Sequence, residues 1–428
     1  MKAIRDPVHN IIIFDKDREK VLLDLLDTRE MQRLRRIKQL GFSSYTYPGA
    51  EHTRFAHSLG VTHLVQRFID RTSTLRVPEF KNELDELQDK KLIICIAAML
   101  HDIGHGPFSH ALESITNISH EKWTAEIING NTEINQVLKS HNVSPKEISE
   151  IIQRTHKSPV IVKLLSSQLD ADRTDYLIRD SLMTGAGYGN FDLEWLLNVL
   201  RVGKVNNAFE IGLDLDKGLS IAEDYVMARY YMYVNVYFHK TTRSAELMMR
   251  QIFDQAVRLN LELPPGLQEI KQSGISPDTL AHYLNLNENV IWTYIEKWKG
   301  HTNLNELCNG ILNRKLYKVI TASDSFKIFE KASEISQRDN IELNSILLRD
   351  TASTSSYKDP YLITPNKNEG EGEAEKEASE QIYLFDKRGY PEELSNISVI
   401  IRQLRNQKIN KERFYVPPKY RGEFEEVI

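Results

Sequence analysis

The stretch His101-Asp102-Ile103-Gly104-His105-Gly106-Pro107-Phe108-Ser109-His110 decides how this 428-residue chain is read. It follows the unbroken apolar run Leu92 to Leu100, about half of what a bilayer-spanning helix needs. That run reads as a buried helix over Leu92–Ile103, stopped by Gly104, Gly106 and Pro107. A His–Asp pair at its end offers one imidazole nitrogen and one carboxylate to a single cation. Such a donor set suits Mn, Fe, Zn or Ni rather than Ca, which prefers oxygen alone. The dipeptide by itself would equally serve as a satisfied polar pair at a helix end. Further ligands must come from elsewhere, and His57, in Arg54-Phe55-Ala56-His57-Ser58, and Asp172, in Asp170-Ala171-Asp172-Arg173-Thr174-Asp175-Tyr176, are the candidates.

Working outward, 41% hydrophobic and 27% charged residues describe a soluble globular chain with material for a sizeable core. A net charge of −5 supplies no global basic field for nucleic acid, so a nucleic-acid partner is not indicated. Met1 to Pro7 has no apolar segment of the secretory kind. Cys95 and Cys308 cannot build a disulfide framework and lack zinc-finger neighbours. A reducing cytoplasm and no membrane partner are expected. Of 13 histidines, His52, His57, His63, His101, His105, His110 and His120 crowd into one short stretch, for which core packing gives no reason.

Helical signals dominate to about residue 325. Asp27-Thr28-Arg29-Glu30 predicts a capped helix from Thr28 to Leu40, ended by Gly41. Ser220-Ile221-Ala222-Glu223 predicts a second cap, opening an amphipathic stretch towards Asn260 that Pro264-Pro265-Gly266 breaks. Helices follow around Pro277–Leu284, Asn289–Lys299 and Leu304–Thr321, and Asn206-Asn207 predicts one hairpin between Leu200–Val205 and Ala208–Leu213. Beyond residue 325, strands at Ile341–Arg349 and Gln381–Phe385 and a helix at Leu394–Leu404 make a small α/β region, 326–428. Residues 366–380, rich in glutamate, read as a mobile acidic loop. The expected fold is mainly α: a helical core over 1–325 with a short hairpin and a C-terminal α/β appendage.

The ordered set His57, His101-Asp102 and Asp172 resembles the metal signature of the HD-domain phosphohydrolases. Asp6-Pro7-Val8-His9, Gln32 to Gly41, Tyr47-Pro48-Gly49-Ala50, Arg54 to Val61 and His101 to His110 are similar to its deoxynucleoside triphosphate triphosphohydrolase branch, whose vertebrate member carries an additional SAM domain. The resemblance implies a helical HD core and hydrolysis of a dNTP to deoxynucleoside and triphosphate, with a transition metal on His57, His101, Asp102 and Asp172 and Mg²⁺ accompanying the substrate triphosphate. It implies phosphate contacts from Arg54, Arg173, Tyr176 and Arg229, sugar or base contacts from Gln39, Leu40, Asp180, Tyr233 and Tyr237, and proton chemistry at His105, His110 and His120 with Glu113 or Glu121 as orienting carboxylate. Asp172, Tyr176 and Asp180 fall on one helical face at i, i+4, i+8, and Arg229, Tyr233 and Tyr237 repeat the spacing. Arg173 stands where the vertebrate branch has lysine, and Tyr233 where it has histidine.

Asp27, Gln32 and Arg35 match residues that recognise an activating guanine nucleotide, so a GTP or dGTP activator and a homo-oligomer, dimer or tetramer, are further expectations. Two other readings stand beside this one: another HD-type phosphoester hydrolase (nuclease or nucleotide phosphodiesterase), and a catalytically silent nucleotide sensor. His52 and His63 are read as structural or surface residues, and His9 as serving the N-terminal turn.

Overall fold

The computed structural model describes residues 1–320, 325–355, 381–405 and 408–426; the side chains of residues 109, 110, 352–355 and 408–411, and the expected acidic loop 366–380, lie outside the described residues. The molecule is mainly α-helical. Its centre is α2 (Arg54–Ser73) packed on α3 (Lys91–Leu100) and on α6 (Ala171–Thr184). Helix α3 is apolar on every side, and its last seven residues, Ile94 to Leu100, are all buried. It ends at His101 because the chain must turn at Gly104, where a Cβ would stand 2.2 Å from the His120 carbonyl oxygen and 2.3 Å from the Thr124 amide nitrogen. Short helices α4 (Ser109–Thr116) and α5 (His120–Asn129) follow, and α5 closes over that turn.

The expected helix from Thr28 to Leu40 is cut short. Thr28 caps α1 (Arg29–Arg33), a 3₁₀ turn covers Leu34–Arg36, and Ile37 is extended. The reason is tertiary: the Lys38 amide donates to Glu288 Oε1 at 2.9 Å, outside any helix. Ser220 does not cap either. Helix α7 (Leu219–Met232) starts from Gly218, and Glu223 accepts instead from the Ser398 hydroxyl of the C-terminal region. The stretch towards Asn260 divides at a π-turn, Tyr233–Tyr237, before α8 (Lys240–Arg258), which His239 caps. Beyond Pro264 the structure has Leu267–Ser273, α9 (Pro277–Asn285), Glu288–Trp298 and Asn305–Leu312, the last much shorter than Leu304–Thr321.

The hairpin β3 (Leu200–Val205) and β4 (Ala208–Asp214) forms in the expected register, with Asn206 and Asn207 both at positive φ. A second hairpin, β1 (Lys2–Asp6) and β2 (Asn10–Phe14), was not foreseen, nor were the helix α10 (Ser325–Asp339) and β9 (Lys408–Val416). The expected strand Ile341–Arg349 begins as a short helix, Leu343–Ile346, before β6 (Leu348–Ser355), and the expected helix Leu394–Leu404 is two helical turns parted at Ser398. Pairing crosses residue 325 twice. β7 (Tyr383–Phe385) lies parallel to β4, with β8 (Pro391–Glu393) outside it, and β9 pairs with both β5 (Lys318–Ile320) and β6. A separate small core (Ile320, Ile328, Ile335, Ile346, Phe414, Phe424) sits where α10 meets the three-stranded sheet. No helix among the described residues is long and apolar enough to cross a membrane.

Candidate active site

Helices α2, α3 and α6 bring His57, His101, Asp102 and Asp172 to one place. Ligand atoms of His57, His101 and Asp172 lie within 4.8 Å of one another. His57 Nε2 is 3.0 Å from Asp172 Oδ1, His101 Nε2 is 3.6 Å from the same oxygen, and Asp102 approaches His101 Nε2 to 3.5 Å and His57 Nε2 to 3.9 Å. Both rings are oriented from behind. His101 Nδ1 donates to the Ala98 carbonyl at 2.7 Å, and His57 Nδ1 bonds Asp175 Oδ2 at 2.8 Å. Each Nε2 therefore faces the cluster, and that of His101 is buried with no hydrogen-bond partner. Two oriented imidazole nitrogens, one of them otherwise orphaned, and two carboxylates fit a divalent transition metal.

Behind His57 lies a buried network that spacing alone did not announce. Asp175 accepts from His57, from His9 Nε2 at 2.6 Å, and from Arg179 at 2.8 and 2.9 Å. Arg179 also reaches Asp6, whose Oδ1 caps the turn at Val8 and His9. So the motif Asp6-Pro7-Val8-His9 serves the site, and His9 does more than hold its own turn. Gly60 leaves the room: a Cβ there would stand 1.9 Å from Asp175 Oδ1. Burial opposes a charged His57, but hydrogen bonds to Asp172 and Asp175 outweigh it and raise the ring to about 10. Asp175 and Arg179 are an i, i+4 pair inside a stretch already singled out, yet such a pair usually marks an exposed helix face.

His105 and His120 stack at 3.8 Å between centroids, 14° from parallel. His120 Nδ1 bonds Glu113 Oε1 at 2.7 Å, whereas Glu121, its sequence neighbour, is exposed. Of the two carboxylates, then, Glu113 is the one that meets His120. Burial, with Arg54 alongside, pushes His105 down to about 3 despite Asp102 at 3.2 Å, so its ring is neutral. His110 lies on α4, its side chain outside the described residues.

A cavity of about 320 Å³ opens beside the cluster, and Gln39, Leu40, Arg54, Tyr176, Asp180, Tyr233 and Tyr237 all line it. Asp180 is held from two sides, by His52 Nε2 at 2.7 Å and by the Tyr237 hydroxyl at 2.8 Å. His52, read from sequence as structural, thus orients a cavity carboxylate. The π-turn, a distortion common at functional sites, places Tyr233 and Tyr237 in this wall, their rings 5.0 Å apart. Phe108, at φ +50°, also faces it and stacks on Phe42 at 4.6 Å. Arg173 and Arg229 stand outside the cavity lining. Arg173 turns to the Ser167 carbonyl and Asp170, and Arg229 Nη1 donates to Gln168 at 2.7 Å while its Nε is buried without a partner. Asp27 and Arg35 are exposed, and Gln32 bridges Arg35 Nε to the Leu26 carbonyl.

A family model described as HD domain matches residues 54–180, and another described as HD associated region matches residues 209–428. The chain is 36% identical to the uncharacterized Bacillus subtilis protein YwfO, over 97% of this chain and 92% of that protein. It is 30% identical to the deoxynucleoside triphosphate triphosphohydrolase SAMHD1 of Bos taurus over 75% of this chain, but spans only 58% of that protein. The crystal structure of a phosphohydrolase from Bacteroides thetaiotaomicron superposes with a TM-score of 0.78 at 30% identity, covering 97% of this chain and 99% of the other. The family models, the relatives and the superposed structure agree with the helical fold described above, and the chain belongs to the HD-domain phosphohydrolase family.

Proposed function

We propose that this protein is a metal-dependent deoxynucleoside triphosphate triphosphohydrolase, cleaving dNTPs to deoxynucleoside and intact triphosphate. One observation carries the reading: a cavity sized for a small molecule, lined by Arg54, Tyr176 and the doubly held Asp180, adjoins the cluster of His57, His101 and Asp172 through the Arg54–Asp102 pair. His57, His101, Asp102 and Asp172 would hold a transition metal, with Mg²⁺ on the substrate triphosphate. A bound cation supplies neutralisation of phosphate charge and acidification of water.

The chain's own residues do the rest. Arg54 meets the phosphate beside the cluster, and Arg173 and Arg229 draw the triphosphate towards Tyr176. Asp180 accepts from the sugar 3′-hydroxyl, its carboxylate kept in place by His52 and Tyr237. Gln39, Leu40, Tyr233 and Tyr237 pack sugar and base. His120, its Nδ1 tied to Glu113, presents the other ring nitrogen and gives a proton to the departing 5′-oxygen. His105 and His110 position the attacked phosphate. Asp27, Gln32 and Arg35 take a guanine nucleotide activator, and the working form is a cytoplasmic homo-oligomer.

The test incubates purified protein with each dNTP, singly and mixed, with Mg²⁺ and Mn²⁺, and identifies products by ion exchange. Triphosphate plus nucleoside is expected. Pyrophosphate plus monophosphate, or cleavage of single-stranded DNA alone, overturns the reading. GTP and dGTP titrations with an Arg35→Ala control test the activator, and nucleotide binding without turnover would favour the sensor.

A further inference from the structure

The backbone that carries His101, Asp102 and His105 is held by an arrangement the chemistry above does not use. Arg33 is 1% exposed and forms no salt bridge among the described residues. Burying a guanidinium without a carboxylate is costly unless its donors are otherwise engaged. Two of its three nitrogens bond backbone oxygens, Nη1 the His105 carbonyl at 2.9 Å and the Ile103 carbonyl at 3.5 Å, and Nε the Leu286 carbonyl at 3.0 Å, while Nη2 is buried without a hydrogen-bond partner. The carbonyl between, that of Gly104, accepts from the Tyr283 hydroxyl at 2.6 Å. The guanidinium carbon lies 4.9 Å from the centre of the Tyr283 ring, which stacks on Trp123 of α5 at 3.9 Å and 3°.

We infer that Arg33 and Tyr283 clamp this turn and act as positioning residues, fixing where the His101–Asp102 pair stands relative to His105. The accounting of backbone groups supports it. Thr124 Oγ1 takes the Gly104 amide at 3.1 Å and reaches the His101 carbonyl at 3.4 Å, while the Asp102 carbonyl takes the His105 amide at 3.1 Å. Every carbonyl from His101 to His105 is therefore engaged, four of the five by side chains of helices α1, α5 and α9. The glycines fit the same device: a Cβ at Gly106 would stand 2.4 Å from Leu112 and 2.9 Å from the Tyr283 hydroxyl. A ring of side chains from distant elements gripping one turn leaves it no alternative path, and catalytic groups displaced by an ångström lose about 100-fold in rate. The inference rests on the hydrolase reading of this turn, but its test does not depend on it.

The experiment uses the full chain with Tyr283→Phe, which keeps the ring stack and removes one hydrogen bond, and Arg33→Lys, alone and combined. Hydrogen exchange of peptides spanning residues 101–106, metal content, thermal midpoint, and kcat and KM for dATP are measured together. Tyr283→Phe is expected to speed exchange at 101–106 selectively and to lower kcat about 10- to 100-fold, with KM and metal content within about twofold. The double variant is expected to lose little more than the worse single one. A lowered midpoint with exchange at 101–106 and kcat both unchanged overturns the clamp. Absence of dNTP turnover in the wild-type chain refutes the proposed function instead, and exchange at 101–106 still decides the clamp.

Discussion

Asp175→Asn is the most informative single change outside the direct ligands. The Asp175 carboxylate accepts four hydrogen bonds, from His57, His9 and two nitrogens of Arg179, which uses all its lone-pair positions. Asparagine offers one acceptor oxygen and turns an NH₂ group towards two donors. Two buried donors are stranded at about 1–3 kcal/mol each, and Arg179 loses one of its two carboxylates, a class of change that costs about 3–5 kcal/mol. These overlap, so a total loss of about 3–5 kcal/mol is expected, measured by urea denaturation in the presence of chelator. The amide can present either its oxygen or its NH₂ group to His57 Nδ1, so the ring's tautomer is no longer fixed, and metal affinity should fall about 10- to 100-fold in calorimetric titration with Mn²⁺. The deficit has a sign with pH. Burial alone would raise the Asp175 carboxyl, but Arg179, His57 and His9 outweigh it and hold it well below the usual range. The wild-type advantage is thus complete above the ordinary carboxylate range and shrinks as pH falls through the depressed value. Asp175→Asn protein with wild-type stability and unchanged Mn²⁺ affinity would refute the idea that this network orients His57.

Gly60→Ala drives a methyl into the Asp175–Arg179 pair and should destabilise the fold by about 3 kcal/mol or more, seen as loss of soluble protein or a large drop in thermal midpoint. Glu113→Gln leaves His120 its place but not its carboxylate; turnover should fall about tenfold, and His120→Ala should lower it about 10²- to 10⁴-fold, both with metal content unchanged by elemental analysis. Burial raises Glu288 to about 7, above its unfolded value, so folding binds a proton there and stability declines as pH climbs from the unfolded value through 7. Glu288→Gln, which keeps an oxygen for the Lys38 amide, should therefore stabilise by about 3 kcal/mol at pH 8.5 and by almost nothing near pH 4, read from paired denaturation curves.

One face of α6 was legible because it rests on local arithmetic, whereas the metal-ligand set and most of the cavity wall were legible only through the family resemblance. A residue four along a helix returns to the same face, so Asp172, Tyr176 and Asp180 fall together from their spacing alone. The Asn206-Asn207 turn was legible for a similar reason, since few residues accept two successive positive φ values. Arg173 and Arg229 illustrate the opposite. Their types suit phosphate, yet their hydrogen bonds go to the loop of Ser167 to Asp170. Glu121 looked like the partner of His120 because it is adjacent in the chain, but successive helical residues point about 100° apart, and Glu113 on the preceding helix is nearer in space.

By itself, the sequence determined the helical character and the turn after α3, since each follows from period and glycine within a few positions, while the set His57, His101, Asp102 and Asp172 was readable only through its resemblance to the family signature. Only the tertiary structure decided what orients those side chains. His9 and Asp6 lie more than 160 residues from the Asp175 and Arg179 they touch, and Tyr283 lies 179 residues from the Gly104 carbonyl it holds. A buried polar atom takes whichever partner the packing brings within 3 Å, and no local rule of propensity or spacing reports that choice.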